Sequence, residues 1–203
     1  MRKCMLFLLI AVMLCPLAAS GAEAPRYLAL TFAGCPVEEN TAHLLEGLES
    51  RGVRGTFFLA AKDCSRSGLL LEQGQELGIL SDAVPALSRR EIAQEINGIR
   101  SELPGRTRVR FLLHRGADTV GFRQVAEALG LVILEPSAQW ERAGDGDILL
   151  LDGRLPVEEI LYQIDCLQRQ EFTLVTVSEL VRLRGVFLHA GDCRSGFPRR
   201  DDA

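Results

Sequence analysis

Short apolar runs alternate with amphipathic stretches along this chain from residue 28 to residue 180. Leu28, Leu30 and Phe32 share one face of an extended segment and Ala29 and Thr31 the other. Gly34 and Pro36 close that run, which predicts a buried strand and then a tight loop. Asn40 or Thr41 is placed to cap a helix that buries Leu44, Leu45 and Leu48 and ends at Gly52. Gly55–Leu59 predicts a second strand, residues 67–75 a weak helix, and Glu76–Leu80 a third strand. Ser88 and Glu91 form a capping box ahead of Ile92, Ile96, Ile99 and Leu103 at helical spacing, and Pro104-Gly105 stops that helix.

In the fourth strand Val109, Phe111 and Leu113 alternate with Arg108, Arg110 and Leu112. Asp118 or Thr119 caps a helix that buries Phe122, Val125, Ala126 and Leu129 and ends at Gly130. Leu131–Leu134 and Asp147–Leu151 are the fifth and sixth strands, separated by an irregular polar stretch over 135–146. Pro156 starts a helix whose Ile160, Leu161, Ile164 and Leu167 face inward. Phe172–Val177 is the seventh strand, and Ser178 caps a short last helix. The Gly-, Arg- and Asp-rich tail after Arg184 is expected to be weakly structured unless Cys193 pins it. Repeated βα units with short loops imply one parallel α/β domain, its sheet open or closed into a barrel. In such folds ligands sit at the loops that follow the strand ends. Directly after Phe32, however, stand Ala33 and Gly34, and neither side chain can ionise, hold a metal or move a proton.

The first 22 residues differ in kind from the rest. Arg2 and Lys3 precede an apolar core over Met5–Leu14, and Ser20-Gly21-Ala22 offers small residues for cleavage. This reads as an export signal, too short to span a bilayer as a helix. The expected division is a signal over 1–22, a domain over 23–184 and a tail over 185–203, with the mature protein secreted or periplasmic. Without Arg2 and Lys3 the 23 basic residues fall to 21 against 27 acidic ones, a net charge of −6. No basic run exceeds two residues, as in Arg89-Arg90 and Arg199-Arg200, which argues against nucleic acid or a membrane surface as partner.

Cys35, Cys64, Cys166 and Cys193 remain after cleavage, and an even number in an exported chain predicts disulfides. Cys35 and Cys64 each follow a strand and are expected at the same rim, so the expected pairs are Cys35–Cys64 and, by elimination, Cys166–Cys193. No CxxC pair favours metal ligation instead.

The order of segments resembles the polysaccharide deacetylase family, the NodB-homology fold. The first motif of that family typically reads TFDDGP, followed by a threonine, a leucine-rich helix and K-A-TFF. This chain has Thr31-Phe32-Ala33-Gly34-Cys35-Pro36, then Thr41, Leu44-Leu45 and Arg54-Gly55-Thr56-Phe57-Phe58. The second motif, GHEIGNH[ST]xxHxxLxxLS, is matched by Gly74-Gln75-Glu76-Leu77-Gly78-Ile79-Leu80-Ser81, Val84-Pro85 and Leu87-Ser88. FRPPYG aligns with Phe111-Leu112-Leu113-His114-Arg115-Gly116, and LLHD with Leu149-Leu150-Leu151-Asp152. Phe172–Leu180 is similar to the closing strand and helix. The resemblance implies a distorted (β/α)7 barrel and metal-dependent hydrolysis of acetyl groups on a sugar.

The departures from the family pattern all fall on its chemistry. The positions of the two aspartates, a general base and a metal ligand, hold Ala33 and Gly34. The two ligand histidines are replaced by Leu80 and Val84, the base-orienting arginine by Leu112, and the general-acid histidine by Leu151. The usual DxxDW segment is reduced to a loop around Trp140, with Glu135 nearby. Loss of a metal returns the pKa of its bound water from ~7 toward ~15.7. Loss of a general base or acid costs ~10²–10⁴-fold each. The expectation is therefore a pseudoenzyme without a catalytic set, a metal or a cofactor, its old metal pocket filled by Leu80, Val84, Leu112 and Leu151.

Its expected partner is a cell-wall or other glycan, or a protein. His114, Arg115, Asp118, Trp140 and Asp152 are the candidates to line a vestigial groove, where an aromatic face can stack on a sugar. The alternative is a divergent carbohydrate deacetylase with a rebuilt site that uses zinc or another divalent metal. His43 reads as a solvated helix residue, the His189–Asp192–Cys193 cluster as incidental, and Asp145-Gly146-Asp147 as a turn.

Overall fold

The computed structural model describes residues 24–36, 38–81, 87–105, 108–114, 120–136 and 139–198. Seven parallel strands and their crossover helices follow one another in chain order. They are β1 (Arg26–Ala33), α1 (Glu38–Ser50), β2 (Thr56–Leu59), α2 (Ser67–Glu72), β3 (Glu76–Ser81), α3 (Arg89–Glu102) and β4 (Phe111–His114). Next come α4 (Val120–Ala128), β5 (Val132–Leu134), β6 (Ile148–Asp152), α5 (Val157–Arg169), β7 (Phe172–Val175) and α6 (Val177–Arg184). Short stretches of 3-10 helix cover Ala61–Arg66 and Trp140–Arg142. The sheet runs β6-β1-β2-β3-β4-β5, and β7 pairs with the first half of β1. This curled parallel sheet with helices outside it is the expected barrel-type α/β architecture.

Alternation along each strand divides the core in two. Leu28, Leu30 and Phe32 of β1 pack outward with Phe57, Leu59, Ile79, Leu112, Leu149 and Leu151 under the helices. Ala29 and Ala33 face the interior with Phe58, Leu80, Phe111, Leu113, Val132 and Ile148. The side-chain period of 2 makes this partition strict. Two close approaches show how tightly both layers are set. A Cβ on Gly47 of α1 would lie 2.5 Å from the Leu161 side chain of α5, and one on Gly78 would lie 2.4 Å from the Phe58 ring inside the barrel.

Local rules account for the helix starts. Ser88 and Glu91 form the expected reciprocal capping box. The last helix is capped two residues earlier than expected, by Thr176 with Glu179, and the seventh strand ends at Val175. The first helix starts at Glu38, ahead of both expected caps. Thr41 is inside it and donates its hydroxyl to Pro36 O at 3.0 Å.

The tail departs most from expectation. Cys193–Arg194 forms β8, added in parallel to the edge of β5, and Gly196 bridges Asp147 at the start of β6. Phe197 is 2% exposed in the interior cluster. The tail thus joins the two edges of the curled sheet and plugs the barrel. Its scarcity of periodic apolar residues hid this, because two paired residues and one aromatic anchor are enough.

The expected disulfides are absent: none of Cys35, Cys64, Cys166 and Cys193 is in a disulfide among the described residues. The two buried thiols are turned into their own packing. Cys35 Sγ is 3.7 Å from Thr41 Oγ1, and Cys64 Sγ faces Ala60 O at 3.4 Å and Ile99 O at 3.9 Å. Cys166 sits on α5 and accepts from Arg169 at 3.0 Å, whereas Cys193 lies beside β5.

Candidate functional site

The C-terminal strand ends place the family's motif positions at one rim. Ala33 is paired in register with Phe58 on one side and Asp152 on the other. Gly34 follows with φ 80°, a conformation that favours glycine, and donates its N–H to Phe58 O at 2.9 Å. The turn after β6 presses on it: a Cβ on Gly153 would meet Gly34 O at 2.5 Å. Asp152 Oδ1 accepts from Arg154 N at 3.0 Å, so this carboxylate stabilises its own turn.

Two of the residues at the motif positions face away from the interior. Leu112 and Leu151 point into the outer, helix-facing layer. The residues of those strands that face the interior are Phe111 and Leu113, Ile148 and, packed against the same cluster, Leu150. Leu80 packs in the interior cluster. Successive residues of a strand face opposite sides, so the neighbours of Leu112 and Leu151 take the interior. Val84, Arg115 and Asp118 lie outside the described residues.

Several rim residues escaped the sequence reading. Asp63 on the first 3-10 turn is 4% exposed and accepts from Arg66 at 3.1 Å through Oδ1. A Cβ on Gly34 would lie 3.5 Å from Asp63 Oδ2 and 3.5 Å from the Arg154 guanidinium. The space of a side chain at position 34 is thus flanked by a carboxylate and a guanidinium. Cys35, alongside, has its thiol pushed up chiefly by burial, against the hydrogen bond with Thr41 and the charge of Arg66. These residues do not fit a divalent ion. Ala33, Gly34 and Leu80 offer no ligand atom, and no three His, Cys, Asp or Glu side chains gather among the described residues.

The predicted groove residues divide between two places. Trp140 and Asp152 line one cleft of about 590 Å³, with Arg142, Leu150, Leu155 and Gln163. The free edge of β6 forms its floor. Trp140 rests on the outer core, and its ring meets Tyr162 of α5 edge-on, 6.5 Å between centroids at 77°. Tyr162 was missed in the sequence because it reads there as a solvated helix position; it is 58% exposed. His114 does not line this cleft. It ends β4 opposite Ser81, and its ring stacks on Phe122 at 3.8 Å, a packing role.

Solved structures similar to this chain share one architecture. The carbohydrate esterase family 4 (CE4) domain of a multidomain xylanase, from the hindgut metagenome of Trinervitermes trinervoides, superposes with a TM-score of 0.72 at 23% identity, over 85% of this chain and 98% of that one. The peptidoglycan deacetylase PdaC from Bacillus subtilis gives 0.70 at 21% identity, over 80% and 93%. The chain has the CE4 fold. A CE4 family pseudoenzyme from Bacillus anthracis also shares it, with a TM-score of 0.67 at 18% identity, over 78% of this chain and 66% of that one. No family model and no curated protein matches the sequence. No helix among the described residues is long and apolar enough to cross a membrane.

Proposed function

We propose that this chain is an exported, non-hydrolytic CE4-fold protein that binds a glycan in the cleft between Trp140 and the edge of β6. The observation that carries this reading is the pairing of an unequipped rim with a furnished cleft. At the rim, Ala33 and Gly34 stand where the fold's chemistry would need a base and a ligand. In the cleft, Trp140 offers an aromatic face beside the Asp152, Arg142 and Gln163 side chains, and Tyr162 supports its ring edge-on from outside the lining. Aromatic faces stack on the apolar face of a sugar ring, and flanking polar groups bond its hydroxyls. Neighbours of the same fold act on glycans: one is part of a xylanase and another is a peptidoglycan deacetylase.

Retention on immobilised peptidoglycan, xylan and chitin tests the reading. The protein is expected to bind at least one of them, and Trp140→Ala is expected to lower retention about tenfold, as for loss of a stacking ring. Equal retention of the wild type and the variant would overturn the placement of the site in this cleft.

A further inference from the structure

A second cleft, at the opposite end of the sheet, has a different chemistry. Arg100 lies in the last turn of α3, and Arg108 and Arg110 stand on the extended lead-in to β4. Their side chains line a cleft of about 610 Å³ with Val109, Gly130 and Ser178. The spacing of 108 and 110 puts both on one side of an extended segment, and the helix brings Arg100 to them. None of the three forms an ion pair among the described residues. Arg100 donates to Leu129 O at 3.1 Å and Arg110 to Leu188 O at 3.0 Å, both neutral backbone carbonyls. Five other arginines, Arg51, Arg54, Arg66, Arg184 and Arg194, each meet a carboxylate.

Among the described residues no carboxylate lines the cleft. Glu76, hydrogen-bonded to Ser178, is the carboxylate beside it, and both its oxygens are engaged. Oε2 accepts from Thr56 Oγ1 at 2.6 Å and Ser178 N at 3.2 Å, and Oε1 accepts from Ser178 Oγ. Three arginines lining one cleft with no carboxylate among its described lining residues repel one another, and their summed field favours a negative ligand. The guanidinium fork matches the two oxygens of a carboxylate or phosphate. The absence of any long basic run in the sequence does not bear on this site, because the fold assembles it from separate segments.

We propose that the cleft formed by Arg100, Arg108 and Arg110 binds an oxyanion, phosphate or carboxylate, carried by an anionic polysaccharide. Its volume is that of a pocket for a ligand larger than one free anion. The site is independent of the Trp140 cleft and stands or falls separately.

The test is calorimetric titration of the full chain with two probes, inorganic phosphate and an oligogalacturonate, at low and high salt. Arg108→Gln is the first variant, because Arg108 makes no hydrogen bond or ion pair among the described residues. Saturable binding that weakens with salt, and roughly tenfold in Arg108→Gln at an unchanged melting temperature, supports the proposal. Tighter binding of oligogalacturonate than of phosphate assigns the polymer. The reverse overturns the polysaccharide and leaves a small-anion site. No saturable binding of either probe, or binding that Arg108→Gln together with Arg110→Gln leaves unchanged, overturns the site itself.

Discussion

The backbone N–H of Phe197 donates to the carbonyl of Gly146 at 2.6 Å, and this contact seats the Phe197 ring inside the barrel. It joins the tail to the turn that begins β6. Gly146 has φ 90°, and a Cβ there would lie 2.3 Å from Phe197 O, so the closure requires glycine on that side. Phe197→Ala removes the plug and leaves a cavity, and it is expected to cost about 3–5 kcal/mol in urea unfolding. Ending the chain at Arg184 is expected to be worse, because it also bares the edge of β5. A loss below 1 kcal/mol for Phe197→Ala would show that the tail is an ornament.

The inner and outer layers can be probed through glycine. Gly78→Ala drives a methyl group into the Phe58 ring, and Gly47→Ala drives one into Leu161. Each is expected to destabilise by about 1–3 kcal/mol despite the higher intrinsic helix propensity of alanine at 47. Gly68, where a Cβ meets nothing within 4 Å, is the control: Gly68→Ala is expected to be neutral or stabilising. Thermal unfolding of the three variants checks the order.

The thiols give a pH signature. Burial holds Cys64 up to about 11, and Cys35 is also raised by burial. A folded pKa above the unfolded value means that the folded state holds the proton longer. The contribution of Cys64 is therefore fully present below about pH 9 and is lost as pH rises through about 11. Unfolding free energies from pH 8 to 11 are expected to fall less steeply for Cys64→Ala than for the wild type. At pH 8 a thiol reagent is expected to modify Cys166 and Cys193, both partly exposed, well before the buried Cys35 and Cys64.

Replacing the missing aspartates does not by itself rebuild a hydrolase. In Ala33→Asp with Gly34→Asp, the second residue must adopt φ 80°, and its side chain enters the space between Asp63 Oδ2 and Arg154. No histidine arrives with them, since β3 presents Leu80. The double variant is expected to release no acetate above a blank and to be less stable than the wild type by about 1–3 kcal/mol. Metal-dependent turnover in that variant would contradict the account of the rim.

Most of the architecture was legible because it rests on periodicity. The alternation Phe111-Leu112-Leu113 and the helical spacing of Ile92, Ile96 and Ile99 each specify an element and its buried face. What stayed hidden depends on contacts between distant segments. Leu112 and Leu151 occupy motif positions in the sequence, yet the pleat turns them toward the helices. Asp63 and Tyr162 carry no local signal, because only the fold brings one under Gly34 and the other to Trp140. The disulfides failed for a similar reason: spacing put Cys35 and Cys64 at one rim, while the direction of each side chain is set by its own neighbours.

The central claim is binding without hydrolysis. One proton NMR sample tests it: the chain, an excess of acetylated xylan oligomers or peptidoglycan fragments, and added zinc or cobalt. The account predicts saturation transfer from protein to sugar protons, reduced in Trp140→Ala, and an acetate signal that grows no faster than in a protein-free sample. An acetate signal that grows with protein concentration and stops on addition of a chelator would contradict it and make the chain a working deacetylase.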